Sequence, residues 1–239
     1  LAGIVNGIDE ARWRLDSLAY DRSLADADRA LALKAEARAR LYERWQCKPD
    51  RPLIALRGRW DRQKGVELFA DCIEWIGEVA NVALVTWGCQ GALPGLRHAW
   101  DKLNEYARQY PGRVMINPEG IAEQSQLAAH YLAADLFLMP SVYEPCGLAQ
   151  MECQRYGAIP IVRRTGGLAD TVVEGRSLEL PSPNGFAYDE QTPQALMAAI
   201  RRAVEALADP ARRRELVANA LAQRNGWANR VAAYEGLYR

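Results

Sequence analysis

Residues Pro140 to Val172 read PSVYEPCGLAQMECQRYGAIPIVRRTGGLADTV, and this stretch decides the fold. ADLFLMP (Ala134 to Pro140), which leads into it, is an apolar run of strand length. A helical pattern begins near Gly147, with Leu148, Met151 and Tyr156 spaced to fit one face. AIPIV (Ala158 to Val162) is the next buried strand, after which Thr165, Gly166 and Gly167 open another helix. Both glycine-bearing turns therefore leave the carboxyl ends of consecutive strands, the edge of a doubly wound parallel sheet where ligands bind. Glycine lets the backbone approach a ligand closely, and free N–H groups at a helix start attract anions. Either Gly147, Gly166 and Gly167 meet a phosphate-bearing ligand, or they only shape tight turns.

The same rhythm continues outward. LIAL (Leu53 to Leu56), VALVTW (Val82 to Trp87) and RVMI (Arg113 to Ile116) alternate with helical patterns near Val66 to Val79, Leu96 to Arg108 and Gln124 to Ala134. With GFAYD (Gly185 to Asp189) added, the alternation predicts an α/β, Rossmann-like doubly wound parallel sheet of about six strands. Gly58, Gly88 and Gly120 follow the first three strands, so five glycine-bearing loops converge on one edge. Upstream, a short extended piece around Gly3 to Asp9 precedes a polar, alanine-rich helix from about Ala25 to Cys47. Downstream, Thr192 with Pro193 makes a good helix start, and Leu196, Ile200, Ala203, Val204 and Leu207 follow along one face. Pro210 starts another helix, and Trp227, Val231, Tyr234 and Tyr238 stripe a helical tail. The expected division is a hinge and lead-in segment over 1–50, the Rossmann-like domain over 51–226 and a terminal helix over 227–239.

Among 239 residues, Lys plus Arg and Asp plus Glu number 30 each, so no overall field favours nucleic acid or an anionic membrane. No run approaches transmembrane length, and LAGIVNGIDEARW lacks the basic and apolar regions of a secretion signal, so a cytoplasmic protein is expected. The five cysteines, Cys47, Cys72, Cys89, Cys146 and Cys153, are scattered and read as free thiols. With only His98 and His130 to add imidazoles, no protein metal site is expected, and no motif asks for a cofactor.

Chemistry enters with GRWDRQKG (Gly58 to Gly65), which places Arg59 and Lys64 in the loop after the first strand and at the start of the next helix. Arg presents a planar fork to phosphate oxygens and Lys a mobile point charge, so the two suit one diphosphate; the alternative is a pair of solvated cations. The loop has no Gly-Lys-Ser/Thr sequence and no GxGxxG follows the strand, which weighs against ATP hydrolysis and dinucleotide redox chemistry. Glu144 lies in the turn before the Gly147 helix, where a carboxylate suits a sugar hydroxyl or positive charge at an anomeric carbon. Glu152 stands eight residues further on, near the same face, either as a ligand or as an ordinary helix-surface glutamate.

The Pro140 to Val172 stretch closely resembles the EPCGL and RTGGLADTV motifs of glycosyltransferase family 5, the bacterial glycogen synthases and plant starch synthases. Arg59 and Lys64 match that family's Arg-(four residues)-Lys-Gly element, which implies that they bind the diphosphate of a sugar donor. Glu144 matches the glutamate of EPCGL, which implies a place beside the donor sugar and a need for it in transfer with retention of anomeric configuration. Gly58, Cys146, Gly147 and Leu148 fall in the same substrate-binding turns. Thr165, Gly166 and Gly167 match the TGGL turn, whose N–H groups approach the donor phosphates. Glu152 resembles the second glutamate of the glycosyltransferase family 4 pair, which contacts the donor ribose. Ile121 stands where an aromatic residue often stacks on adenine.

The resemblance spans almost the whole chain but only the carboxyl-terminal half of the family's GT-B architecture, two Rossmann-like domains with the active site between them. It implies a donor-binding domain for ADP-glucose or UDP-glucose, with the glucan acceptor held through the missing amino-terminal domain and little transfer by this chain alone. The last helix would then pack toward that domain. Two other readings stay open: a non-catalytic nucleotide-sugar-binding module, and a family 4 retaining transferase with a small acceptor.

Overall fold

The computed structural model describes residues 3–13, 27–89, 94–121, 123–175 and 182–238. Six strands, β1 (Leu53–Arg59), β2 (Asn81–Trp87), β3 (Val114–Asn117), β4 (Leu136–Met139), β5 (Ile159–Arg163) and β6 (Phe186–Tyr188), form one sheet in the order β3-β2-β1-β4-β5-β6. Every pairing is parallel, as expected for an α/β doubly wound sheet. Such strands are covered on both faces, and accordingly they read as apolar runs rather than as alternating patterns. In β1, Ile54 and Leu56 face one core and Ala55 the other.

The Ile54 face is covered by α2 (Val66–Asp71), α3 (Ile73–Val79), α4 (Pro94–Gln109) and α8 (Pro193–Ala208). The helix expected over Val66 to Val79 is divided at Cys72, whose backbone (φ −95°, ψ −1°) tightens one turn. Thr192 caps α8 as anticipated, its hydroxyl accepting from Ala195 N–H at 3.3 Å, and Asp209 caps α9 (Pro210–Leu221) in the same way. The Ala55 face is covered by α5 (Gln124–Ala133), α6 (Ala149–Gln154) and α7 (Gly167–Thr171).

Helix α1 (Ala27–Trp45) lies outside α5 and is pinned there by a buried lysine. The Lys34 ammonium donates to the carbonyls of Leu132 (3.2 Å), Ala134 (2.6 Å) and Tyr156 (3.1 Å). At the amino ends of the strands, Asp135 accepts from Leu53 N–H at 2.9 Å, from Arg213 at 2.7 Å and from Arg38. The extended piece near the amino terminus runs along the tail: Ile8 N–H donates to Asn225 O at 2.8 Å and the Tyr234 hydroxyl to Asn6 Oδ1 at 2.9 Å. The tail comprises a 3-10 turn over Trp227–Asn229 and α10 (Val231–Tyr238), which buries no residue and leaves Trp227, Val231, Leu237 and Tyr238 exposed.

Strand order reverses between β1 and β4. The crevice outside the carboxyl ends of those two strands is where this topology binds ligands.

Candidate active site

Three loops build the crevice. The first leaves β1 and forms a 3-10 turn over Arg62–Lys64, started by the Asp61 carboxylate, which accepts from Gln63 N–H at 2.8 Å, and ended by Gly65. Gly65 has φ 68°, and a Cβ there would stand 1.9 Å from Pro140 O, so glycine alone lets this loop lie on the end of β4. The second loop follows β4 and is stitched to the first. Val142 N–H donates to Gln63 O at 2.8 Å and Gln63 Nε2 to Tyr143 O at 3.0 Å. The third is the turn from Thr165 to Gly167, where Gly167 N–H donates to Glu144 O at 3.1 Å. Gly166 has φ 47°, and a Cβ on it would fall 2.1 Å from that same oxygen.

This stitching brings Lys64 against Glu144. Lys64 Nζ donates to Glu144 Oε2 at 2.5 Å, and the Ser141 hydroxyl donates to the same oxygen at 3.2 Å. The Glu144 side chain is only 10% exposed, so the lysine and the hydroxyl satisfy a charge that burial alone would penalise. Arg59 ends β1 exposed, with no ion pair or side-chain hydrogen bond among the described residues. It borders a cavity of about 30 Å³ together with Lys64 and Ser141. Gly58 lies under the Lys64 stem, and its carbonyl accepts from the Thr86 hydroxyl at 2.8 Å. Arg163 supports the second loop from beneath, donating to Val142 O at 2.5 Å and to Asp189 O at 3.1 Å.

Cys146 and Gly147 contribute backbone to this centre. Burial pushes the Cys146 thiol up, so it is protonated at neutral pH, and Gln150 Nε2 donates to the carbonyls of Cys146 (3.3 Å) and Gly147 (3.0 Å). In the third turn, Gly167 N–H is engaged by Glu144, so an anion resting on this turn would meet the N–H groups of Thr165 and Gly166.

A second cavity, of about 320 Å³, opens beside the first and is bordered by Asn6, Arg57, Ile121, Gln124, Leu148 and Glu152. Here the expected positions Ile121, Leu148 and Glu152 come together. Glu152 is 6% exposed, so it is no helix-surface glutamate. Its Oε2 accepts from Arg57 Nη1 at 3.2 Å and from the Tyr131 hydroxyl at 2.9 Å, and Arg57 Nη1 also donates to the Tyr131 oxygen at 3.2 Å. Burial raises the Glu152 pKa, and the Arg57 charge is the first influence that opposes it. Arg57 borders both cavities and holds its guanidinium 5.9 Å from the Trp87 ring.

Of the residues expected at the site, Gly58, Arg59 and Lys64 border the first cavity and Ile121, Leu148 and Glu152 the second, while Glu144 meets Lys64 directly and the Thr165 to Gly167 turn is tied to Glu144 through Gly167 N–H. The sequence reading passed over Ser141, Gln63, Arg57 and Tyr131. A charged residue inside the apolar run LIALRGR was the one available sign of Arg57. Among the described residues no helix is long and apolar enough to cross a membrane.

Comparison with known proteins agrees with this fold. Residues 38–223 match the family described as glycosyl transferases group 1. The whole chain aligns with the glycogen synthase of Geotalea daltonii at 38% identity and with that of Cellvibrio japonicus at 37%, covering 48% of each relative. The chain therefore spans about half the length of the curated relatives it matches. Among solved structures, the catalytic domain of starch synthase IV from Arabidopsis thaliana, bound to ADP and acarbose, superposes with a TM-score of 0.82 at 28% identity, over 98% of this chain and 47% of that one. Sucrose-phosphate synthase from Thermosynechococcus elongatus gives 0.60 at 28% identity over 86% of this chain and 48% of that one, and the structural neighbours are GT-B glycosyltransferases. With a parallel sheet whose switch point gathers Arg59, Lys64 and Glu144, and with this match over most of its length, the chain belongs to the glycosyl transferases group 1 family and is similar throughout to glycogen and starch synthases.

Proposed function

We propose that the chain is the donor-binding half of a retaining glucosyltransferase that lengthens α-1,4-glucan from ADP-glucose or UDP-glucose. The observation that carries this reading is the Lys64–Glu144 pair, a cation and a buried carboxylate held 2.5 Å apart at the point where strand order reverses. Arg59 and Lys64 take the donor diphosphate. Each charge-assisted hydrogen bond is worth roughly 1.5 to 3 kcal/mol, and all gain strength as negative charge develops on the leaving nucleoside diphosphate. Thr165 and Gly166 present N–H groups to the same phosphates, while Cys146 and Gly147 shape the floor. Glu144 stands beside the sugar, where its carboxylate stabilises positive charge at the anomeric carbon. The nucleoside extends into the second cavity, with the base over Ile121 and Leu148 and the ribose at Glu152.

In this reading residues 51–226 carry the nucleotide-sugar site, 1–50 lead in from a hinge, and 227–239 turn their exposed apolar face toward the half that binds the glucan. Neither a cofactor nor a metal has a part in it, and the setting is cytoplasmic. Calorimetric titration of ADP and of UDP into the wild type and into an Arg59→Ala/Lys64→Ala variant tests donor binding. The double variant loses most of the affinity; equal affinity, or no binding by either protein, overturns the assignment. The chain alone gives negligible transfer from ADP-glucose or UDP-glucose to glycogen, and robust turnover without added protein would refute that part.

One observation favours a second reading. A buried Glu152 facing a cavity, eight residues after Glu144, suits the paired glutamates of a family 4 transferase with a small acceptor. Product analysis with the complete enzyme, glycogen against small sugars, separates the two.

A further inference from the structure

We infer that Arg57 is the positioning residue of the nucleoside end of the site: with Tyr131 it holds one oxygen of Glu152, so that the other oxygen faces the cavity as acceptor for the vicinal hydroxyls of the donor's ribose. The inference rests on the placement of the ribose at Glu152 proposed above and assigns a job to a residue outside the motifs. Both bonds to Glu152, from Arg57 at 3.2 Å and from Tyr131 at 2.9 Å, arrive at Oε2. Oε1 accepts neither, and it belongs to a side chain that borders the 320 Å³ cavity. The three groups close a ring, since Arg57 Nη1 also donates to the Tyr131 oxygen at 3.2 Å. A carboxylate with two bonds on one oxygen has its rotation fixed, and the remaining oxygen has a defined direction.

Charge explains why an arginine stands there. A carboxyl group only 6% exposed stays ionised in the interior when a cation is paired with it. The groups facing Glu152 are Arg57 from β1, Tyr131 from α5 and Arg12 from the segment before α1. Cys153, its neighbour in α6, is a buried thiol held in its protonated form, with Lys34 beyond it. His130, next to Arg57 on α5, is pushed down to about 4 by burial and by the Arg57 charge, so it is neutral across the physiological range. Arg57 is thus the cation in hydrogen-bond contact with Glu152. Its guanidinium lies against the Trp87 ring, which orients the fork without competing for the carboxylate.

Calorimetry with ADP, UDP and 2′,3′-dideoxy-ADP, from pH 6 to pH 8.5, tests the assignment on the wild type and on Arg57→Met, Arg57→Lys, Glu152→Gln and Arg57→Met/Glu152→Gln. Taken as a ratio to wild type at each pH, which cancels the titration of ADP's own terminal phosphate, Arg57→Met binds about tenfold more weakly at pH 6 and recovers part of that deficit by pH 8.5, as the unpaired carboxyl ionises. Arg57→Lys keeps the charge without the fork: its affinity falls by a few fold, by the same factor relative to wild type at every pH. The double variant binds no worse than Glu152→Gln, and all the variants bind dideoxy-ADP alike. Wild-type affinity in Arg57→Met at every pH, or additive losses in the double variant while Glu152→Gln alone is weakened, overturns the role of Arg57. Unchanged ADP affinity in Glu152→Gln, with dideoxy-ADP bound as tightly as ADP, overturns instead the placement of the ribose. Should Arg57→Met show no cooperative urea transition, Arg57→Lys and Tyr131→Phe decide, and wild-type affinity in both rejects the inference.

Discussion

Replacing Lys34 by Met separates two opposing effects at the joint between α1 and the site helices. Lys34 is 1% exposed, and burial pulls its amine from an ordinary 10.5 down to about 7, with Asp135 opposing the change and Arg38 assisting it. A base whose pKa falls on folding carries fewer protons in the native state than in the unfolded chain between those two values. Stability therefore rises with pH across that window, by about 1.4 kcal/mol per pH unit and about 5 kcal/mol over the whole span. Below pH 7 the ammonium is buried charged, and the full cost is present. Against this stand the carbonyls of Leu132, Ala134 and Tyr156, three acceptors that match the three donors of an ammonium and exceed the two of an amine. Urea denaturation of wild type and Lys34→Met at intervals from pH 6 to pH 10 measures the outcome. The difference between the proteins is the quantity to follow, because the half-buried thiol of Cys47 and the buried thiol of Cys72, raised to about 11, lower the stability of both above about pH 8.5. The wild type gains on the variant by about 1.4 kcal/mol per pH unit above pH 7. A difference that stays flat from pH 6 to pH 10 would refute the reasoning and show that the three carbonyls hold the ammonium against the cost of burial. Because Leu132 and Tyr156 lie just past Tyr131 and Glu152 in sequence, the variant also weakens ADP binding.

Three further outcomes follow from the crevice. Gly65→Ala puts a Cβ 1.9 Å from Pro140 O in a left-handed conformation, so it destabilises by about 2 to 4 kcal/mol in urea melts and parts Lys64 from Glu144; a loss below about 0.5 kcal/mol contradicts it. Glu144→Gln keeps the Ser141 and Lys64 contacts but releases the lysine charge to the diphosphate, so ADP binds about fivefold more tightly by calorimetry while the complete enzyme loses transfer. Weaker ADP binding by this variant would place the carboxylate differently. Leu237→Glu/Tyr238→Lys, on residues 58% and 87% exposed, changes stability by less than about 0.5 kcal/mol in urea melts, and a loss above about 1 kcal/mol contradicts the exposed placement of this helix.

The sheet was legible because strands buried on both faces carry their own signature: LIAL, VALVTW, ADLFLMP and AIPIV need no partner to be recognised. Lys64 and Glu144 were legible through their motifs, each a contiguous word. Contacts between distant residues were not. Arg57 reads locally as a charged residue that interrupts an apolar strand, and its meaning depends on Tyr131 and Glu152, 74 and 95 residues away. Lys34 sits in a polar, alanine-rich helix and looks solvated until α5 and α6 bring their carbonyls to it. Glu152 showed the reverse difficulty, since its motif spacing was plain while its burial, which excludes the surface-charge reading, is created by neighbours on β1 and α5. The division of the first long helix at Cys72 left no mark in a pattern whose apolar spacing continues through it.

The distribution of exposed apolar side chains bears on the proposed half-enzyme. Among the described residues outside the tail, the exposed large apolar side chains are Trp87, Val142, Tyr143 and Leu148, all at or beyond the carboxyl ends of β2 and β4, around the crevice, and Tyr110, after α4. Trp227 borders the second cavity with Leu148, so the tail continues the same apolar rim. A crevice serving a soluble nucleotide alone has no need of such a rim, because Arg59, Lys64 and the loop N–H groups meet the phosphates from one side. An apolar border around a polar centre is instead the character of a surface that another surface covers. Covering it would also exclude water from the Lys64–Glu144 pair and strengthen the electrostatics on which sugar transfer depends. In the proposed enzyme the two halves would then be unequal: this one would fix the donor through loops already fastened to each other, and closure by the other would supply both the acceptor and the dry environment.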